Sequence, residues 1–302
     1  MKTAKLVFSS EQEIKKYIEE CENGYKNGVA RAFEATLGSK IITLCGPSCS
    51  GKTTTSKILD KEYAKIGKTL HAISIDDFYI DRDVLDARCR KEGIPLDYDS
   101  PRTIDFELFE RVMEQIEKGE TVTVPRFDFT VGRRVGYTDI ACTDGDVFLF
   151  EGIQAVYPEC TEHLANHKYT PLFISVEEDI EYGNVSFNKR DLRFLRRLVR
   201  DSRTRNTDAE KSFSLWRGVV KNEVTNIYPN LTDREENIDS SMPYEVSVIK
   251  PFAIPLLESI REDSEYSEKA QKFLKMLSAV PEIDANYVPD DSVFREFIGE
   301  RK

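Results

Sequence analysis

The sequence predicts an α/β fold, a doubly wound and mostly parallel sheet flanked by helices. Three observations predict it. Short apolar runs at Lys40–Cys45, Thr69–Ile75, Asp146–Gly152 and Pro171–Val176 alternate with segments of helical period, the signature of βαβ units. The first run passes at once into a glycine-rich turn and then a helix from Lys52 to about Ala64. The second and third runs end in acids, Asp76 with Asp77 and Glu151, and in sheets of this kind ligands gather outside the carboxyl ends of the strands.

The remaining elements follow in order. Residues 9–36 read as a helix capped by Ser9 or Ser10, with Ile14, Tyr17, Ile18 and Cys21 at helical spacing before Gly24 and Gly28 interrupt it. Residues 1–38 are therefore read as an N-terminal helical extension on a core spanning 39–262. A long polar stretch holding Gly93, Pro95 and Pro101 leads into a helix at Ile104–Glu117. Thr121–Pro125 reads as a strand and Phe127–Asp139 as a hairpin or extended loop. Beyond Val176 the pattern changes to charged helices at Asp191–Asp201 and Asp208–Tyr228. After Pro251 and Pro255, a helix at Ser267–Leu277 opens a C-terminal helical extension, 263–302.

Composition narrows the function. A chain of 302 residues, 40% hydrophobic and 32% charged, can bury one large α/β core or two small ones. A net charge of −11 argues against general nucleic-acid binding and against an anionic membrane surface, which call for excess Lys and Arg. No apolar run reaches the roughly 20 residues that span a bilayer, and Met1–Lys16 carries no apolar leader. The expected location is cytoplasmic. Six scattered cysteines without paired spacing read as reduced thiols. His163 and His167, four apart, read as a solvated helix face.

The strongest local signal is chemical. Gly46–Thr53 fits G-x-x-x-x-G-K-[ST], with the strand before it and the helix after it that the motif requires. The predicted fold is thereby a P-loop NTPase, with ATP and Mg²⁺ as the expected cofactors. Gly46, Pro47, Ser48, Cys49, Ser50, Gly51, Lys52, Thr53 and Thr54 are the expected nucleotide-binding residues, their amides and the helix N-terminus facing phosphate. Lys52 would bridge the β- and γ-phosphates and Thr53 would give its hydroxyl to Mg²⁺. Of the strand-end acids, one can hold Mg²⁺ through water and another can accept a proton from an attacking hydroxyl. Position alone does not say which. Arg193, Arg196, Arg197 and Arg200 recur at i, i+3, i+4 and i+7, and Arg203 and Arg205 continue the series. Such density in an acidic chain predicts a mobile lid over about 188–211 that clamps phosphate.

Taken in order, GPSCSGKTTT from Gly46, SIDDFY from Ser74, YDSPRTID from Tyr98, PRFDF from Pro125, LFEGI from Leu149 and RRLVRD from Arg196 resemble the uridine kinase and phosphoribulokinase family. The later SLWRGVVKNEVTNIYP from Ser214, SVIKPFAIPLL from Ser247 and SVFREFIG from Ser292 resemble its bacterial uridine-kinase-like subfamily. The family likeness runs from about Ile41 to Asp208. It implies that Asp76 is the catalytic base and lies near the metal, with Tyr79 beside it at the acceptor. It implies that Asp99 holds the acceptor's ribose hydroxyls, that Glu151 is the Mg²⁺-associated acid, and that Arg197, Arg200 and Arg205 close over phosphate and acceptor. Lys52, Arg197 and Arg200 join Asp76 as the catalytic set. The chain departs from the family at the base-reading end. Phe127 and Gly132 replace a tyrosine and a histidine, and Thr207 replaces a lid arginine, while Arg126, Arg133 and Arg134 suit an anionic or phosphorylated acceptor.

The expected activity is ATP-dependent phosphotransfer to a hydroxyl of a small nucleoside-like acceptor. Two alternatives stay open: a kinase for another small metabolite of the pantothenate or sugar phosphate type, and a nucleotide-dependent regulatory switch with weak turnover. The sequence is compatible with a homo-oligomer. The tetrapeptide Asn188–Asp191 spells the guanine-reading NKxD, but it stands well after Val176 and no DxxG precedes it where a switch needs one. It is read as a coincidence.

Overall fold

The computed structural model describes residues 1–96 and 100–301. The chain runs through β1 (Lys2–Thr3), α1 (Glu11–Thr36), β2 (Ile41–Cys45), α2 (Lys52–Lys65), β3 (Thr69–Ser74), α3 (Arg82–Glu92) and α4 (Phe106–Lys118). A hairpin of β4 (Val122–Asp128) and β5 (Arg133–Ile140) precedes β6 (Asp146–Glu151), α5 (Pro158–Leu164) and β7 (Tyr169–Ser175). Then come β8 (Ile180–Tyr182), β9 (Val185–Phe187), α6 (Lys189–Arg205), α7 (Ala209–Asn222), β10 (Glu236–Asp239), α8 (Glu245–Glu258), α9 (Ser267–Ser278) and α10 (Arg295–Ile298).

Five strands form the central sheet in the order β10-β7-β2-β6-β3, every neighbouring pair parallel. All of β2 is buried, and its alternate side chains feed two different cores. Ile42 and Leu44 join the cluster under α1, α2, α6 and α8, whereas Ile41 and Cys45 join the one under α4 and α5. The chain leaves β2 toward the first face and β6 toward the second. That reversal opens a crevice at their carboxyl ends, where a doubly wound sheet binds ligands. Both terminal segments pack into the first cluster, which runs from Ala4 to Ile298.

The structure departs from the sequence reading in several places, each for a physical reason. The fifth strand, β10, has 4 residues and only Ile238 among them is buried, so it carries no apolar run. Helix α3 buries only Leu85 and Cys89 and lies hidden in the polar stretch. Helix α1 continues through Gly24 and Gly28. At Gly28 a Cβ would already be in contact with Ile238 of β10, so the missing side chain lets the helix sit close on the edge strand. Pro251 and Pro255 lie inside α8, on its exposed side. Pro251 cannot donate to the Ser247 carbonyl, and the Ile283 N–H from the C-terminal segment does so instead, at 3.0 Å. His163 and His167 do not form a solvated helix face. The His167 side chain lies buried beyond the end of α5 while His163 is half-buried, and both contact Glu110 of α4, at 3.3 and 2.8 Å. Among the described residues no helix is long and apolar enough to cross a membrane.

The arginine helix differs most from expectation. Helix α6 is a core element whose Arg193 and Arg196 are fully buried. Arg193 donates twice to Glu223, at 2.5 and 2.8 Å. Arg196 donates to Glu245 at 2.6 Å and to the Ser240 carbonyl at 2.7 Å. The stripe read as one phosphate-facing lid is thus split, its first half neutralised inside the protein by glutamates from later elements. Arg196→Met should strand the Glu245 carboxylate. A loss of about 3–5 kcal/mol is expected, read as a lower denaturant midpoint with an unchanged m-value.

Candidate active site

A cleft of about 630 Å³ lies in the crevice. Ser48, Cys49, Ser50, Gly51, Lys52 and Thr53 form one wall, Asp76, Tyr79 and Glu151 another, and Arg197, Arg200 and Arg205 a third. Most residues singled out from the sequence therefore meet around one space. Thr54 borders it through Glu296, while Gly46 and Pro47 form the back of the loop. Phe127 and Arg133 do not line it among the described residues, and Asp99 lies outside the described residues.

The loop's shape is set by close approach and by buried cations. A Cβ on Gly46 would collide with the Ile174 carbonyl of β7, so only glycine lets the neighbouring strand come so near. Gly51 has φ 102, a left-handed value that a side chain would strain. Two buried arginines of α6, Arg193 and Arg196, hold the loop from behind, and Arg197 reaches it from the cleft wall. Arg193 donates to the Ser48 carbonyl at 3.1 Å, Arg196 to the Cys49 carbonyl at 3.3 Å, and Arg197 to the Ser48 hydroxyl at 3.1 Å. With outward carbonyls satisfied there, the loop's amides and the α2 N-terminus remain for an anion. Lys52 Nζ meanwhile donates to the Gly46 carbonyl at 2.7 Å. Behind the arginines, the buried Asp201 pairs with Arg197, Arg200 and Arg205 at 3.2, 2.8 and 3.5 Å.

The two adjacent acids after β3 are sorted by a single-turn 3₁₀ helix, Ile75–Phe78. Asp76 faces the cleft and accepts from Gln154 Nε2 at 2.8 Å. Asp77 accepts from the Phe127 N–H at 3.0 Å and so braces the hairpin. Burial pushes the Asp76 carboxyl above its ordinary range, against the pull of the Gln154 hydrogen bond and the Lys52 charge. Burial likewise raises Glu151, partly offset by Lys52 and reinforced by Glu296 and Asp76. The Glu151 Oε2 atom is buried without a hydrogen-bond partner. It stands with the exposed Thr53 hydroxyl as a hard oxygen donor. Among the described residues no group of three or more His, Cys, Asp or Glu could hold a metal alone. This donor set fits Mg²⁺, which binds through one or two carboxylates together with substrate phosphates.

Sequence reasoning missed Gln154 and Glu296. Gln154 follows the third strand-end acid by three residues, but a buried amide carries no signal of its own. Glu296 comes from the C-terminal extension, 242 residues from the Thr54 hydroxyl that it accepts.

At the far end, Tyr79 packs on Phe127 and Phe129, with ring centroids 5.6 and 5.3 Å away. Gly132 has φ 71, and a Cβ there would collide with the Arg82 side chain, so any side chain at that position is strained and must displace Arg82. Arg134 donates to Asp105 at 3.0 Å, whereas Arg133 is exposed at the start of β5. The Asn188–Asp191 tetrapeptide is a helix cap. Asn188 accepts from the Arg190 and Asp191 amides, and Asp191 accepts from the Asn188 amide. It borders a separate cavity of about 580 Å³.

Gln154→Leu should raise the Asp76 carboxyl further, since it deletes a donor to the charged form. A ¹³C-carboxylate NMR titration should show the Asp76 midpoint moving to higher pH, and a fall would contradict the assigned contact.

Residues 41–246 match the model of the Phosphoribulokinase / Uridine kinase family. The chain is 30% identical over 182 residues to a uridine kinase of Ureaplasma parvum serovar 3, a match covering 60% of this chain and 77% of that protein. It is 31% identical over 181 residues to a uridine kinase of Staphylococcus haemolyticus, with the same two coverages. A solved structure of a possible uridine kinase from Bacillus stearothermophilus aligns at 16% identity and a TM-score of 0.39, over 49% of this chain and 79% of that one. The chain belongs to the phosphoribulokinase / uridine kinase family.

Proposed function

We propose that this kinase transfers the γ-phosphoryl group of ATP to a hydroxyl of a small, nucleoside-like acceptor, with Asp76 as general base. The observation that carries the reading is the position of the Asp76 carboxylate. Of the adjacent pair after β3, it is the acid that shares the cleft with the phosphate loop and Glu151, while its neighbour Asp77 is committed to the hairpin. Asp76 takes the acceptor's proton as the oxygen attacks phosphorus, and Gln154 holds the carboxylate in place. Lys52 exchanges the Gly46 carbonyl for phosphate oxygens. Arg197, Arg200 and Arg205 meet the charge that develops during transfer. Thr53 and Glu151, with Asp76 nearby, would hold Mg²⁺, which when bound would supply charge neutralisation on the phosphates.

The acceptor end is aromatic. Tyr79 lines the cleft, Phe127 and Phe129 pack on Tyr79 from beyond the cleft wall, and neither Phe127 nor Gly132 offers a hydrogen bond to a base. Asp99 remains the assigned partner of a ribose diol, and exposed Arg133 is left for an anionic group on the acceptor. Uridine and cytidine should both be accepted weakly and with little discrimination between them, and an acceptor with a ribose-like diol and an anionic group should be used better.

Three measurements test this reading. Asp76→Asn should lower kcat by roughly 10²–10⁴-fold with ATP affinity nearly intact, while Asp77→Asn should mainly lower stability. The reverse pattern would move the base to Asp77. Because burial raises Asp76, wild-type kcat/KM should fall on the acid side about a midpoint above the ordinary aspartate value, as the base becomes protonated. That limb should vanish in Asp76→Asn. Lys52→Ala should abolish transfer, and normal turnover in that variant would remove the phosphate-site assignment.

A further inference from the structure

We propose that Glu296 sets the nucleotide affinity of this site, as a tethered carboxylate that occupies the anion position beside Thr54 until a phosphate displaces it. The inference rests on the ATP-binding reading of the loop and adds the C-terminal segment to that site. Thr54 stands in the first turn of α2, where the helix terminus favours negative charge. Its hydroxyl donates to Glu296 Oε2 at 2.9 Å, and Glu296 lines the cleft with Lys52, Arg200 and Arg205. The carboxylate thus competes with the incoming phosphate for one donor and one patch of positive field.

The segment that carries Glu296 is firmly held, so the competition is intramolecular. Val293 packs against Gly51 of the phosphate loop closely enough to exclude a side chain there. The Phe294 and Phe297 rings lie 5.8 and 5.1 Å from the buried Arg196 guanidinium. Arg203 donates to the Phe297 carbonyl at 3.3 Å. Ser292, at the start of the segment, donates to Glu22 of α1 and accepts from the Phe294 N–H. A side-chain rotation at Glu296 frees the Thr54 hydroxyl without moving this anchor. The carboxylate also adds negative charge beside Glu151, the acid assigned to Mg²⁺.

The test is calorimetric titration of the full chain with ATP and Mg²⁺. Glu296→Ala should tighten ATP binding by about 3- to 10-fold, the scale of one lost competing hydrogen bond, and Glu296→Gln, which removes the charge but keeps an acceptor for Thr54, should tighten it by less. A damaged fold would weaken binding, so tightening separates displacement from a structural role. Thermal unfolding of each variant confirms that the segment stays docked. Unchanged or weaker binding in both variants would overturn the proposal and make Glu296 a brace or a nucleotide contact. Lys52→Ala, titrated alongside, tests the underlying reading independently. Its loss of ATP binding is expected whatever Glu296 does, and wild-type affinity in that variant would remove the nucleotide site itself.

Discussion

The site depends on two buried ion pairs, Arg193 with Glu223 and Arg196 with Glu245. A phosphate loop turns its amides toward the ligand, so its carbonyls must find donors on the other side. Here the same guanidinium groups that neutralise the two glutamates reach the Ser48 and Cys49 carbonyls. Arginine suits this double duty because its planar fork offers five N–H donors that can serve different partners. A lysine ammonium offers a point charge and no fork. The cost of burying four charged groups is offset only if every one stays paired, which makes α6 a fixed wall over its first half.

The second half of α6 is a different environment. Arg197, Arg200 and Arg205 converge on one buried acid, Asp201, which cannot neutralise all three. Their residual positive charge faces the cleft opposite Asp76, Glu151 and Glu296. In a chain of net charge −11, this local balance concentrates cations where phosphate is expected and leaves carboxylates for a proton and a metal. Burial raises Asp76 and Glu151, and Lys52 opposes that rise at both. Lys52 is thus an electrostatic partner of both acids as well as the phosphate ligand we propose.

What was legible in the sequence was local. The loop from Gly46 to Thr53, the four apolar strands and the acids at their ends could be read because each signal fits within a few residues. Position alone found Asp76 and Asp77 without telling them apart; the family resemblance chose Asp76, and the 3₁₀ turn and the hairpin amide give a physical reason for separating them. The arginine stripe was visible, yet helical spacing shows which residues share a face and not what that face meets. Glu223 and Glu245 lie far along the chain, so the stripe read as a lid. β10 was invisible because a short polar edge strand has no periodicity. Glu296 was invisible because its partner Thr54 sits at the other end of the chain. Gly132 shows the converse. Its departure from the family pattern was plain in sequence, and the left-handed backbone with Arg82 beside it disfavours a side chain there.

The central claim is that the phosphate loop is fixed from behind and open in front. A crystal structure with a non-hydrolysable ATP analogue and Mg²⁺ tests it most directly. The account predicts the triphosphate against the loop amides, with Lys52 Nζ moved from the Gly46 carbonyl onto phosphate oxygens. It also predicts that the Arg193 and Arg196 contacts to the Ser48 and Cys49 carbonyls persist. A loop that rebuilds its backbone and breaks those contacts, or a nucleotide seated in the separate cavity beside Asn188, would contradict it.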